Sequence, residues 1–296
     1  MKIINGRKIR DEILSKLKKD VASLSFKPIF CDVLIGDDLA STQYVRMKKR
    51  TAESVGISFH DAIFPSTIST NELVEEIKIL NKMPNMCGII IQLPLPESLD
   101  KKKILDAIDP SLDVDCLGEE RSKEFYGGKI DLGLPAPLSC MEILDSLNLD
   151  LKSKKIVVLG QGELVGKPVT ALLKFRGLNP KVITRKTPAR NASHSDAGGE
   201  NKEDLIKQAD IIISGMGNGK YITGDMVKSG VVIIDAGTSE ENGAIVGDVD
   251  LDSVKDVASF VSPVPGGVGP VAVAMLLKNV VNVAKNNLKQ TYNESR

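Results

Sequence analysis

The feature that most constrains this chain is a series of short apolar runs separated by segments of helical length. Ile29–Ile35, Cys87–Gln92, Ile156–Leu159, Lys181–Thr184, Asp210–Ser214 and Val231–Asp235 read as strands. Several are apolar at nearly every position, the pattern of strands covered on both faces. Between them, Thr70–Lys82 and Lys167–Phe175 have the composition and length of helices. A parallel sheet wrapped by helices produces this alternation. The rhythm occurs twice: the first unit ends near the Gly-, Lys- and Asp-rich stretch Glu119–Asp131, and the second opens at Ile156–Leu159. Length agrees, since 296 residues correspond to about two domains of ~150 residues. Pro188–Lys202, rich in Ser, Asn, Gly and Ala, reads as a surface loop, and a last long helix is expected over about Val271–Gln290.

Charge and composition exclude several classes. Basic and acidic side chains number 39 each, for zero formal net charge, which argues against a nucleic-acid binder working through a broad basic face. Aromatic residues are 4% with no Trp, so stacking platforms for single strands are not expected. Residues 1–19 carry charges throughout and lack the apolar core of a signal peptide. No segment offers the ~18 uninterrupted apolar residues of a membrane span. Cys31, Cys87, Cys116 and Cys140 form no Cys-x-x-Cys pair, and only His60 and His194 could join them, so no metal site is expected. Scattered free cysteines fit a reducing cytoplasm. The expectation is a cytoplasmic protein without nucleic-acid or membrane partners.

Six stretches are candidates for chemistry. In Val157–Gly166, VVLGQGELVG, a hydrophobic strand runs into Gly160-Gln161-Gly162 and then a helix. Glycines let the backbone turn tightly and approach a pyrophosphate, while the helix N-terminus offers N–H groups to the anion. The spacing G-x-G-x-x-x-G is one longer than the usual dinucleotide fingerprint, and a plain strand–helix turn would leave the same pattern. The next strand ends in Arg185 and Lys186 with no acid. A carboxylate at that tip would hold the 2′-OH of NAD, so the cations favour the 2′-phosphate of NADP; solvated loop cations are the other reading.

In Ser41–Gly56, Ser41 or Thr42 can cap a helix and Gly56 can end it. Tyr44 and Lys48 lie four apart and share a face. A lysine held beside a tyrosine in a pocket becomes useful for proton transfer, whereas Lys48-Lys49-Arg50 could also be a solvated run. Cys87–Pro96, CGIIIQLPLP, brings Gln92 to the carboxyl end of a strand, where open α/β sheets bind ligands, unless Gln92 only satisfies local backbone. Asp113 and Asp115 are either surface carboxylates or acceptors for paired N–H donors of a flat heterocycle. Ser262–Pro270, SPVPGGVGP, packs three prolines and three glycines into nine residues, as a connector or as a rigid wall of a site.

In order, and over nearly the whole chain, these stretches resemble the bifunctional methylenetetrahydrofolate dehydrogenase/methenyltetrahydrofolate cyclohydrolase family. The resemblance is carried by YVRMK at Tyr44–Lys48, IIQLPLP at Ile90–Pro96, DVD at Asp113–Asp115, VVIIDAG at Val231–Gly237, GDVD at Gly247–Asp250 and PVPGGVGP at Pro263–Pro270. It implies two α/β domains flanking a cleft: a folate-binding catalytic domain at 1–120 plus 272–296, and a Rossmann-like NAD(P)-binding domain at 121–271. It also implies a homodimer formed through the nucleotide domain. By the same resemblance Lys48 is the catalytic lysine, Tyr44 packs on the folate, Gln92 supports the lysine and Asp115 binds the pterin. Pro263, Gly266 and Gly267 line the folate and nicotinamide pocket. Gly160, Gln161, Gly162, Arg185 and Thr238 hold the dinucleotide. The implied reaction moves hydride from the methylene carbon of a tetrahydrofolate to NADP. Water then adds to the methenyl cation, and ring opening gives 10-formyltetrahydrofolate for one-carbon metabolism and purine biosynthesis.

The departures from the family pattern fall mainly on the cofactor side. Gly160-Gln161-Gly162 replaces the family's G-R-S, and Thr184-Arg185-Lys186-Thr187 replaces its H-S-x-T. Leu134-Pro135-Ala136-Pro137 replaces P-C-T-P, and Cys116 replaces the glycine after DVD. Arg185 is expected to compensate for the missing arginine. The alternatives are an NAD-preferring or single-activity member, a folate- or nucleotide-binding protein without turnover, and a hydroxy- or keto-acid dehydrogenase on a similar fold.

Overall fold

The computed structural model describes residues 1–129, 131–188 and 201–294. The expected loop Pro188–Lys202 lies almost wholly outside the described residues. The strands are β1 (Lys2–Ile3), β2 (Ile29–Ile35), β3 (Ser58–Phe64), β4 (Met86–Ile91), β5 (Ile156–Leu159), β6 (Lys181–Ile183), β7 (Ile211–Ser214), β8 (Val232–Asp235), β9 (Ser239–Glu241), β10 (Ala244–Val246) and β11 (Phe260–Ser262). The helices are α1 (Gly6–Ala22), α2 (Leu39–Ser54), α3 (Thr70–Leu80), α4 (Lys101–Asp106), α5 (Glu119–Tyr126), α6 (Pro135–Ser146), α7 (Gly166–Phe175), α8 (Lys202–Gln208), α9 (Leu251–Val254) and α10 (Val268–Glu294). All six expected strands are present to within a residue at either end. The last helix starts three residues earlier than expected, at Val268, inside the Pro/Gly-rich segment.

The chain divides into two compact units, Asp11–Pro135 with Val273–Arg296, and Met1–Arg10 with Ala136–Ala272. Both ends of this division differ from the sequence expectation. Residues 1–10 join the second unit because β1 pairs in parallel with β11, Lys2 opposite Phe260 and Ile3 opposite Val261. Residues 121–135 join the first. There Phe125 is fully buried, and Asn279 of α10 donates to the carbonyls of Val114 at 2.8 Å and Gly133 at 2.7 Å.

The first unit is built on the parallel sheet β3-β2-β4. β2 and β4 are buried almost throughout, as their largely apolar sequences require, with Asp32 the single charged residue inside them. Helix α3 starts in a capping box: the Ser69 hydroxyl accepts from Glu72 N–H, and the Glu72 carboxylate accepts from Ser69 N–H. It buries Leu73, Ile77 and Leu80, one face of a 3.6-residue repeat. Helix α10 is long and apolar enough, by length and composition, to cross a membrane, but 67% of that window is buried within the protein. Asn279 satisfies two backbone carbonyls from the middle of it, so it serves as a core helix.

In the second unit six strands run parallel in the order β1-β11-β8-β7-β5-β6. β6 and β7 follow β5 in sequence but lie on opposite sides of it, which makes the carboxyl end of β5 a topological switch point. Two buried carboxylates organise that edge. Asp248 accepts from the Ser214 hydroxyl at 2.6 Å, Met216 N–H at 2.8 Å and Asn218 N–H at 2.7 Å, pinning the loop after β7. Asp235 accepts from the N–H groups of Gly237 and Val249, both at 2.9 Å, pinning the loop after β8. Burial, with Asp248 nearby, pushes the Asp235 carboxyl up to about 6. An Asp248→Ala change leaves buried donors without an acceptor. It is expected to cost about 2–4 kcal/mol, read as a lowered midpoint in urea unfolding followed by circular dichroism.

Candidate active site

Asp38 caps α2, its carboxylate accepting from Ser41 N–H at 2.8 Å. This replaces the expected caps Ser41 and Thr42: Asp38 directly follows the turn out of β2, and a carboxylate suits the helix N-terminus. The helix then runs to Ser54, with Gly56 in the left-handed region just beyond its end, at φ 92°. Of the basic run, only Lys48 turns inward. It is 2% exposed, in a stripe with Ser41, Val45 and Ala52. Lys49 pairs with Asp61, and Arg50 is exposed.

The Lys48 ammonium has a defined partner on each of three sides. Its Nζ donates to Gln92 Oε1 at 2.7 Å. It stands 5.0 Å from the centroid of the Tyr44 ring, within cation–π range. It also lies 2.5 Å from Oδ2 of Asp32, a carboxylate in the middle of β2 with no exposed surface. Gln92 sits one residue past the end of β4. Its N–H donates to the Val33 carbonyl, and its side-chain amide donates to Leu93 O at 2.9 Å. Both sequence readings of Gln92 therefore hold, since it satisfies local backbone and fixes the lysine. Asp32 was not identified from the sequence; the signal was a single carboxylate inside the apolar run IFCDVLI.

The two aspartates of DVD part company. Asp113 is 2% exposed and accepts from Gly118 N–H at 2.8 Å, so it shapes its own loop. Asp115 is half-buried, and among the described residues its carboxylate accepts no side-chain hydrogen bond. Burial and the neighbouring Asp113 push it up to about 7, with Lys48 opposing. The phenol of Tyr44 is pushed up to about 12 by burial and by Asp115 and Asp32, although the residue keeps 41% of its surface exposed. Lys48, Tyr44, Gln92 and Asp115 thus lie in one unit. They offer a fixed cation, an aromatic face and an open acceptor for N–H donors. Cys116 is buried at φ 57°, and burial pushes its thiol up.

The expected cofactor residues lie in the other unit, at the carboxyl edge of its sheet. Gly160 turns the chain out of β5 at φ 90°, and its N–H donates to Ile183 O. A Cβ on Gly166 would collide with the Gly160 carbonyl, so α7 begins tight against the loop and Gly166 takes the close-packing role in the fingerprint. The space beside Gly162 is open. Gln161 folds back: its side-chain amide donates to Gly160 O at 2.9 Å and to the Thr170 hydroxyl at 3.0 Å. The turn after β6 is held by Thr184 and Thr187, which leaves Arg185 and Lys186 exposed. Thr238 is exposed just beyond β8. In the Pro263–Pro270 segment Gly267 N–H donates to Pro263 O at 2.7 Å, and the Gly266 carbonyl accepts from Gly6 N–H at the start of α1. A glycine cradle at a switch point, with Arg185 and Lys186 exposed at the neighbouring strand tip, fits a phosphorylated dinucleotide.

Comparison with known proteins also divides the chain in two, between residues 115 and 135, although the second match runs on to 288 and so takes in the part of α10 that belongs to the first compact unit. Residues 4–115 match the catalytic domain of tetrahydrofolate dehydrogenase/cyclohydrolase, and residues 135–288 match its NAD(P)-binding domain. The chain belongs to this family. The bifunctional protein FolD of Nautilia profundicola is 42% identical over 98% of this chain and 99% of its own length. The crystal structure of the bifunctional FolD dehydrogenase/cyclohydrolase from Campylobacter jejuni superposes with a TM-score of 0.86 at 33% identity, covering 97% of this chain and 99% of that one. The Trypanosoma brucei methylenetetrahydrofolate dehydrogenase-cyclohydrolase, complexed with NADP cofactor and inhibitor, gives 0.87 at 29% identity, covering 97% and 98%.

The position of Asp115 has a thermodynamic signature. The folded state holds its proton up to about pH 7, whereas an ordinary aspartate releases it near 3.8. Ionised Asp115 therefore destabilises the fold, increasingly from about pH 4 to 7 and fully above that. Asp115→Asn is expected to raise the thermal unfolding midpoint at pH 8, and the gain should vanish below pH ~4.

Proposed function

We propose that this protein oxidises 5,10-methylenetetrahydrofolate to the methenyl form with NADP and hydrolyses that product to 10-formyltetrahydrofolate. The observation that carries the reading is the buried Lys48, held by Gln92 and stacked on Tyr44, in the same unit as the open carboxylate of Asp115. Asp115 suits the amino and ring N–H donors of a pterin, and Tyr44 supplies a face for its ring. NADP, when bound, accepts the hydride. Gly160, Gly162 and Gly166 form the cradle for its pyrophosphate, with Thr238 beside it, and Arg185 with Lys186 takes the 2′-phosphate. Gln161 is engaged with Thr170 and Gly160, so it leaves that charge to the strand tip. Pro263, Gly266 and Gly267 form the wall next to the nicotinamide.

Hydride loss leaves a cation stabilised by two nitrogens, so the first step needs orientation more than a base. Hydrolysis needs proton transfers, and Lys48 is the residue placed for them. The same reading takes the working enzyme to be a cytoplasmic homodimer joined through the dinucleotide unit.

The test is to follow NADP and NAD reduction with methylenetetrahydrofolate while monitoring the methenyl absorbance. NADP reduction with little methenyl build-up is expected, and reduction of neither cofactor would overturn the proposal. Arg185→Ala is expected to raise KM for NADP by about 10-fold while leaving KM for NAD within about 2-fold. A preference for NAD in the parent protein would instead assign Arg185 to solvent.

A further inference from the structure

The ion pair behind Lys48 goes beyond that reading. Asp32 and Lys48 are 0% and 3% exposed at their side chains, with Nζ and Oδ2 2.5 Å apart. Asp32 Oδ1 has no hydrogen-bond partner among the described residues. A buried carboxylate with an orphan oxygen costs several kcal/mol of desolvation, and the core position in β2 could hold any apolar residue of similar size. Its neighbours explain neither its presence nor its charge. In register, Asp61 of β3 lies on one side and Ile90 of β4 on the other. Asp61 is itself paired with Lys49. Asp115 and Cys31 add negative or neutral character, and Tyr44 is neutral. Among the described residues, Lys48 is the one cation paired with Asp32.

We propose that Asp32 is a positioning residue that keeps Lys48 an ammonium, so that Lys48 enters the hydrolytic step as an acid and not as a free base. This rests on the reading of Lys48 as the acid–base residue. After water has added to the methenyl carbon and released a proton to solvent, the tetrahedral adduct must break its bond from that carbon to N5. Lys48 gives a proton from Nζ to N5 as the carbon–N5 electron pair goes to nitrogen. The adduct's hydroxyl gives its proton to the Lys48 amine as the formyl C=O forms. The lysine ends as it began, and Asp32 stays ionised throughout. Burial raises the Asp32 carboxyl above the usual range, and the Lys48 ammonium opposes that rise.

The test uses the full-length enzyme. In the parent protein, cyclohydrolase kcat is expected to hold level through neutral pH and fall only on the alkaline side. A kcat that climbs with pH to a plateau both in the parent protein and in Asp115→Asn, where the neighbouring carboxylate no longer titrates, would show a free-base lysine and overturn the proposal. Asp32→Asn is expected to lower the ratio of cyclohydrolase to dehydrogenase rate by about 10-fold or more, with visible accumulation of the methenyl intermediate. Its alkaline decline should move to lower pH by about one unit or more, because a buried lysine without a counter-ion loses its proton more readily. An unchanged ratio and profile in folded Asp32→Asn would overturn the proposal. So would a parallel fall in both activities with a raised KM for folate, which is what a merely structural residue gives. Lys48→Met separates the two layers: retained cyclohydrolase activity there would sink the underlying reading of Lys48, whereas its loss beside an unaffected Asp32→Asn would sink only the role of Asp32.

Discussion

Parallel pairing sends the carboxyl ends of all strands in a sheet to one edge, and both units of this protein depend on that constraint. In the six-stranded sheet it assembles Gly160, Arg185, Thr238 and the Pro263 segment at a common rim, although they are far apart in the sequence. In the three-stranded sheet it brings Gln92, after β4, to the same end as the turn that starts α2. Strands covered on both faces must be apolar, so the chemistry is displaced to the loops. The few polar groups that remain inside are then under strong selection for partners.

Those buried groups do two different jobs. Asp113, Asp235 and Asp248 accept backbone N–H groups and thereby define the loops that carry the site. Each converts the cost of burying a carboxylate into a fixed loop conformation. Among the described residues Asp32 accepts from no backbone N–H; it faces a side-chain cation. The first kind of carboxylate makes the scaffold, and the second acts on the reactivity of one residue.

Much of this was legible in the sequence where a single physical signal dominated. Runs such as IIIS at Ile211–Ser214 and IVVL at Ile156–Leu159 can only be doubly covered strands in this context, and both were found. β3, SFHDAIF, was missed because His60 and Asp61 break its apolar run at the exposed edge of its sheet. The β9–β10 hairpin was missed as well, though Asn242-Gly243 at its turn, both at positive φ, carried a usable signal. β1 is two residues long, and no periodicity can reveal a strand that short. At the site, Tyr44, Lys48, Gln92 and Asp115 were readable through motif and spacing. Asp32 was not, because its meaning depends on a lysine sixteen residues away turning inward. Charge pairing across elements has no local pattern.

The placement of β1 bears on how the protein is best handled. Its two residues cover the outer side of β11 in the dinucleotide unit. Trimming the first few residues, or fusing a bulky tag that pulls them away, would leave the backbone groups of β11 facing solvent as an open sheet margin. Such margins recruit strands from other molecules. The pairing of Lys2 and Ile3 therefore completes the sheet and keeps the margin of β11 covered.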